Sequence, residues 1–168
     1  CYEEAIGFCP APAHVRDKDG IATSVVAASL AAVLKAQGRS VWDELERLAR
    51  LHGLHVSSPL TFRVEEIEQI ASGMARLRAQ PPSVLAGSPV VEVSDLSQGY
   101  RSLPPTDGVL VLTEAGDRVI ARPSGTEPKL KCYLEVILPV AEGEPLPWGQ
   151  ARERLDAIKG AFAEIIGL

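Results

Sequence analysis

The sequence predicts an α+β fold: an antiparallel sheet with helices packed on one face, preceded by helices left from an upstream α/β domain. Three observations carry this reading. From residue 54 onward the chain runs in the order strand, helix, several strands, helix. The residues before it hold two helical stretches and no sheet of their own, and two helices alone do not make a domain. The length, 168 residues, suits one domain plus a piece of another.

Cys1 to Asp17 has Gly7, Pro10 and Pro12 and no sustained period, so it reads as a loop. Ile21–Leu34 follows as a helix that is apolar almost all round, which predicts that it is buried; Gly38 ends it. A membrane span needs roughly 20 apolar residues in a row, and Thr23, Ser24, Ser29 and Lys35 interrupt this one. Ser40 caps a second helix, with Asp43 as an approximate capping box and a stripe of Val41, Leu45, Leu48 and Leu51. Residues 1–53 therefore read as the tail of one domain and residues 54–168 as the whole of another.

In that second part, Leu54–Val64 reads as a strand in which Pro59 favours an edge or a bulge. Glu65–Ala79 places Ile67, Ile70, Met74 and Leu77 at helical spacing before Pro81-Pro82. Val84–Val93 alternates as a strand. Val109–Glu114 and Arg118–Arg122 flank Gly116-Asp117 as a hairpin. Lys129–Leu138 puts Leu130, Cys132, Leu134 and Val136 on one face, so Cys132 reads as packing rather than as a nucleophile. A last helix runs from Pro147 to about Ile166, with Leu155, Ile158, Phe162, Ile165 and Ile166 inward.

Composition narrows the function classes. Seventeen basic against 22 acidic side chains leave a net charge of -5, which gives no footprint for nucleic acid; no membrane partner is expected either. Three cysteines, Cys1, Cys9 and Cys132, have no metal-ligand spacing and make no disulfide framework, so a reduced cytoplasmic setting is expected. No basic n-region or leading apolar run marks a signal peptide. The missing initiating Met predicts that the chain begins inside a longer protein.

The segment with chemistry is Arg122-Pro-Ser-Gly-Thr-Glu-Pro-Lys129, held between two strands. A phosphate wants converging donors. Arg122 supplies a guanidinium fork, and Ser124 and Thr126 supply hydroxyls. Gly125 bares the backbone N–H groups, and Pro123 and Pro128 stiffen the ends. Lys129 and Lys131 add positive charge. On composition alone, a solvated Pro/Gly turn is equally open.

This octapeptide resembles the phosphate-binding loop in the last domain of the α-D-phosphohexomutases, the phosphoglucomutase, phosphomannomutase and phosphoglucosamine mutase family. Tyr2-Glu3-Glu4-Ala5-Ile6-Gly7 resembles the family's sugar-binding Gly-Glu-x-Ser loop, with Ala5 where serine is common. Asp17-Lys18-Asp19-Gly20 before an Ala-rich helix is a third match in order. The resemblance implies the end of a sugar-binding third domain, residues 1–53, and a whole phosphate-binding fourth, residues 54–168. It implies that Arg122, Ser124, Gly125 and Thr126 clamp the substrate phosphate, with Lys131 as an added cation. Glu3 would accept hydrogen bonds from adjacent sugar hydroxyls, or remain a solvated loop acid. Lys18 would act in acid/base or charge-stabilising chemistry with its pKa lowered by burial or Arg16, or else form a salt bridge with Asp17 or Asp19.

The family's phosphoserine and metal-loop segments, Ser-His-Asn-Pro and Asp-x-Asp-x-Asp-Arg, are absent from the chain. Mg²⁺ is therefore expected in the full-length parent with no ligands in this chain, and the chain alone is expected to be inactive. The implied parent is an isomerase acting on glucose or mannose 1- and 6-phosphates through a bisphosphorylated intermediate, with the missing N-terminal domains as its partners. The Glu3-Glu4-Ala5-Ile6-Gly7 run keeps a phosphopentomutase-like parent open. The alternative from another class is a non-catalytic phosphosugar-binding or interaction module.

Overall fold

The structure, a computed structural model, describes residues 2–3 and 6–167; Cys1, Glu4, Ala5 and Leu168 lie outside the described residues. The chain divides into two compact units, Cys1–Leu48 and Ala49–Leu168.

The first unit opens with two short strands, β1 (Tyr2–Glu3) and β2 (Gly7–Phe8), paired antiparallel with Tyr2 opposite Phe8. The stretch expected to be a loop thus contains a small hairpin, pinned by the Tyr2 and Phe8 rings at a centroid distance of 4.9 Å. Two-residue strands leave too little alternation to register as a period. Helix α1 (Gly20–Ala36) starts where Asp19 accepts from the N–H groups of Ile21 and Ala22, both at 3.0 Å. Asp19 N–H donates to Phe8 O at 2.9 Å, which ties the hairpin to the helix start.

The expectation of a buried α1 is not met. Leu34 is its one buried residue, and Ile21, Val25, Val26, Leu30 and Val33 are exposed. An apolar surface is covered only where another layer packs on it, and the chief packing on α1 comes from the two-residue strand β2. Helix α2 (Val41–His52) begins with the expected capping box: Ser40 N–H donates to Asp43 Oδ2 at 2.6 Å and Asp43 N–H to Ser40 Oγ at 3.2 Å. Glu44, between Arg39 and Arg47, has its carboxyl held down at about 2 by these guanidinium groups, Arg47 first. No single helix is long and apolar enough to cross a membrane.

The second unit is an α+β layer. Its strands are β3 (Leu54–Arg63), β4 (Val84–Leu85), β5 (Ser88–Asp95), β6 (Val109–Thr113), β7 (Arg118–Pro123) and β8 (Lys129–Leu138). They lie in the order β3-β8-β7-β6-β5-β4, every neighbour antiparallel. Pro59 sits on β3, an edge strand, the place in a sheet where a residue without an N–H is best tolerated. The stretch expected as one strand, Val84–Val93, is broken at Ala86 and Gly87, both with left-handed φ, into the tight β4–β5 hairpin.

Alternation sorts the two faces of the sheet. Leu130, Cys132, Leu134, Val136 and Leu138 of β8, Val119 and Ala121 of β7, and Val109 and Val111 of β6 are buried under helices α3 (Ile67–Ala79) and α4 (Trp148–Ile166). Helix α4 offers Ala151, Leu155, Ile158, Phe162 and Ile166 at three- and four-residue spacing, one continuous stripe. Ile67, expected inward at the start of α3, is exposed, while Ile70, Met74 and Leu77 are buried.

Two polar ties fix the helices. Arg76 of α3 donates from Nε to Ile166 O at 3.1 Å, closing the C-terminus of α4 beside Gly167, whose φ of +66° suits only a residue without Cβ strain. At the β6–β7 turn, Arg154 of α4 grips the buried Asp117 through both carboxylate oxygens, each at 2.8 Å.

Candidate functional site

The second unit gathers cationic and hydrogen-bonding groups at the end of β7 and the start of β8. Strand pairing sets Arg122 directly opposite Lys131, and Lys131 in turn opposite Thr61 of β3. These residues lie on the sheet face away from the helices, because their neighbours Ala121, Leu130 and Cys132 are the buried ones. Two cations directly opposite each other on one face are unfavourable unless something negative meets them. Among the described residues neither Arg122 nor Lys131 has a carboxylate within ion-pair distance.

The loop beyond them closes on itself. Ser124 N–H donates to Lys129 O at 2.9 Å, Lys129 N–H to Glu127 O at 2.7 Å, and Val64 N–H to Pro128 O at 3.1 Å. The Ser124 amide is thereby spent on shape. Among the described residues the N–H groups of Gly125, Thr126 and Glu127 and the hydroxyls of Ser124 and Thr126 have no protein acceptor or donor. They remain free for a ligand. Arg122, Gly125 and Thr126 are exposed and Ser124 is half-buried. A Cβ added at Gly125 meets nothing within 4 Å, so glycine here leaves bare backbone for a visitor rather than room for a neighbour.

One cation credited to the site is withdrawn from it. Lys129 Nζ is paired with Glu127 Oε1 at 2.5 Å, and Arg63 lies 3.9 Å from the same carboxylate. The Glu127 carboxyl is held below its ordinary range, by Lys129 first and then by the charges of Arg63 and Lys131. Free positive charge at this corner therefore comes from Arg122 and Lys131.

The first unit brings two other predicted residues together. Lys18 Nζ lies 3.1 Å from Glu3 Oε1, and both side chains are half-exposed. They cross the face of Gly7, where an added Cβ would fall 2.4 Å from Lys18 Cδ and 2.5 Å from Glu3 Cγ. The partner of Lys18 is thus neither Asp17 nor Asp19. Asp17 Oδ1 accepts the Lys18 backbone N–H at 2.6 Å, and Asp19 caps α1. Glu3 raises the Lys18 pKa above its ordinary 10.5, the reverse of the lowering expected for an acid/base lysine. Tyr2, Glu3, Gly7, Arg16, Asp17 and Lys18 border a shallow hollow of about 230 Å³. Glu4 and Ala5 of the same motif lie outside the described residues.

Arg118 lies on the same open face as Arg122, as the period of two along β7 requires, and its charge alone does not mark it as part of a site. It donates to Glu135 Oε2 at 2.8 Å, and His55 Nδ1 meets Glu135 Oε1 at 3.2 Å.

Residues 60–146 match the family model "Phosphoglucomutase/phosphomannomutase, C-terminal domain". A probable phosphomannomutase of Haemophilus influenzae is 39% identical over 134 residues, covering 80% of this chain and 27% of the relative. A phosphopentomutase of Mus musculus is 27% identical over 179 residues, covering 97% of this chain and 28% of the relative. The chain thus spans a little over a quarter of the length of these curated relatives. The crystal structure of the exocytosis-sensitive phosphoprotein parafusin, a phosphoglucomutase from Paramecium, in its open form, superimposes with a TM-score of 0.59. It has 18% sequence identity and covers 93% of this chain and 29% of that one, a likeness of fold.

Proposed function

The chain belongs to the phosphoglucomutase/phosphomannomutase family through its C-terminal domain, and from that premise we propose that it is the sugar- and phosphate-reading portion of a longer hexose-phosphate mutase. In this reading the parent moves a phosphoryl group between the 1- and 6-positions of glucose or mannose by way of a bisphosphorylated sugar. The Arg122 loop holds whichever phosphate is not reacting. Binding energy gathered at that remote dianion orients the hydroxyl that does react.

The observation that carries the reading is the pairing of Arg122 with Lys131, two cations without a carboxylate partner among the described residues, beside free hydroxyl and amide donors. A phosphate dianion satisfies them together. In the other unit, Glu3 receives two adjacent sugar hydroxyls as an acceptor-only carboxylate. Lys18, raised in pKa and bonded to Glu3, serves as a fixed positive charge that holds that carboxylate in place. Among the described residues no group of three or more His, Cys, Asp or Glu side chains is disposed to hold a metal ion, so the Mg²⁺ implied for the parent is assigned no ligand and no step here.

Titration of the chain with inorganic phosphate and then glucose 1-phosphate, followed by amide NMR, tests this. Residues 122–131 should shift first; shifts confined to other segments overturn it. A pentose substrate is the second reading, favoured by the alignment of the mouse phosphopentomutase with 97% of the chain. Competition between ribose 1-phosphate and glucose 1-phosphate separates the two.

A further inference from the structure

The open face of the sheet carries a second hollow that shares no residue with the Arg122 loop. After β5 the chain turns through a 3₁₀ helix, Leu96–Gln98, and folds back over Leu110 and Leu112 of β6 and Ile120 of β7. The ends of this segment are stitched together. Leu96 N–H donates to Gly108 O at 2.9 Å and Thr106 N–H to Leu96 O at 3.0 Å. Arg78 of α3 donates to Asp95 Oδ2 at 3.0 Å and to Asp107 Oδ1 at 2.6 Å, clamping both ends from one guanidinium. Within the loop, Leu103 N–H donates to Tyr100 O at 2.9 Å. A compact segment with tied ends keeps its shape when nothing is bound.

Between loop and sheet lies a hollow of about 370 Å³, within the range of small-molecule sites, roughly 300–1,000 Å³. Leu110, Leu112 and Ile120 form its floor, and Tyr100 and Leu103 its wall. Arg101 and Arg118 stand at its edge. Leu110 is 3% exposed although it faces away from the helices, so the loop roofs real apolar surface. Water over such a floor finds few polar partners and is readily displaced by carbon.

The edge is cationic. Arg118 shares its one carboxylate, Glu135, with His55. Arg101 has no carboxylate partner among the described residues; its guanidinium lies 5.0 Å over the Tyr100 ring, and its backbone is held at a φ of +54°. A non-glycine residue in the left-handed region is uncommon, and here that conformation belongs to the residue that delivers the charge. Stacking on the ring limits the motion of the fork and leaves its N–H edges for an anion.

We infer that this hollow binds a small organic carboxylate with a flat apolar body. The body lies on Leu110, Leu112 and Ile120, and the carboxylate meets the fork of Arg101 beside Arg118. A sugar phosphate carries a hydroxyl on nearly every ring carbon and would leave most of them without partners over a carbon floor, and the hollow shares no residue with the Arg122 loop, so this site stands independently of that loop. Arg118, Ile120 and Arg122 alternate along one face of β7, so an occupant rests on the strand that presents the phosphate-binding arginine.

The probe is 2-naphthoate, added to the whole chain with methyl-labelled Leu and Ile and read by carbon–proton NMR. The methyl groups of Leu110, Leu112 and Ile120 should move saturably under the ring current. Naphthalene-2-methanol, which lacks the charge, should bind about tenfold more weakly. Arg101→Asn, which keeps the left-handed backbone, should weaken naphthoate by a similar factor. The inference fails if those methyl groups stay still, if shifts gather instead on exposed Ile21 and Leu30 of α1, if the alcohol or the variant binds as well as the acid does to the parent chain, or if glucose 1-phosphate displaces naphthoate.

Discussion

Lys18 Nζ sits 3.1 Å from Glu3 Oε1 over the bare face of Gly7, joining two motifs that the sequence presents as separate. The contact assigns Lys18 a fixed positive charge and makes Gly7 the residue that leaves room for it. It also separates two chemical roles by their pH dependence. A lysine that donates and takes protons near neutrality must titrate there. Glu3 raises the Lys18 pKa above 10.5, so its charge persists through the neutral range and is lost only as the pH climbs beyond that value.

Sugar-phosphate affinity should therefore show no inflection from Lys18 between roughly pH 6 and 9. Lys18→Arg should retain most of the affinity and Lys18→Met should lose it, with thermal unfolding unchanged because exposed ion pairs add little to stability. An inflection in that window which disappears in Lys18→Met would restore an acid/base lysine.

Gly7→Ala tests the same contact by space alone. Gly7 does not have a left-handed backbone, so alanine adds no φ strain. The new methyl would collide with Lys18 Cδ and Glu3 Cγ, part the ion pair and weaken sugar binding as much as Lys18→Met does. Unchanged affinity in Gly7→Ala would mean that the pair can re-form elsewhere without cost.

At the Arg122 loop the pairing of charges ranks the cations. Arg122→Ala should weaken glucose 1-phosphate binding by about tenfold or more, since a hydrogen bond to a charged group contributes on the order of 1.5–3 kcal/mol and this one is exposed. Lys131→Met should weaken it as well. Lys129→Met should have a much smaller effect, because its charge is already committed to Glu127. Isothermal calorimetry on the three variants gives the order, and an equal loss in all three would show that bulk charge rather than geometry does the binding.

Much of this fold is legible in the residues, and the gaps have physical reasons. Lys129–Leu138 is a strand from first to last expected residue, because ten alternating positions leave no other period. The capping box at Ser40 and Asp43 and the turn at Gly116-Asp117 are local chemistry and appear as read. Partnership over distance is not local. Nothing in the spacing of Glu3 and Lys18, or in the run Glu127-Pro-Lys129-Leu-Lys131, says which lysine will meet which carboxylate. Exposure of α1 is equally invisible: hydropathy states that a surface wants cover, and only packing shows whether the described residues provide it. The roofed hollow over Leu110 escaped because its ends meet through Arg78, a residue of another element.

The grip of Arg154 on Asp117 should dominate the stability of the second unit. Asp117 is fully buried, holds both guanidinium nitrogens at 2.8 Å and accepts the Thr113 hydroxyl at 3.0 Å. Removing one partner strands a buried charge, which typically costs about 3–5 kcal/mol. Arg154→Met should show this loss in urea unfolding, with the m-value unchanged. The double variant Arg154→Met, Asp117→Leu should recover part of it, since no charge is then left without a partner. Additive losses would place the destabilisation in packing instead.

Cys132 gives the last expectation, one in which burial sets both reactivity and pH dependence. Its thiol is wholly enclosed on the helix side of β8, and burial pushes its pKa up to about 12. At pH 8 the folded thiolate fraction is then roughly one in ten thousand, so a thiol reagent should modify Cys132 at the rate of unfolding and rapidly once urea opens the unit. The same shift acts on stability. The unfolded thiol ionises near its ordinary value of 9.0 while the folded one stays protonated. Between about pH 9 and 12 the folded state therefore binds the extra proton, and stability falls as the pH rises, by up to about 1.4 kcal/mol per pH unit from this group. Below pH 9 both states are protonated and the contribution is flat. Cys132→Ala removes the titrating group, so its stability should decline less steeply than that of the parent chain above pH 9. Parallel curves, or modification of Cys132 in the folded chain faster than it unfolds, would show that solvent reaches the helix side of β8.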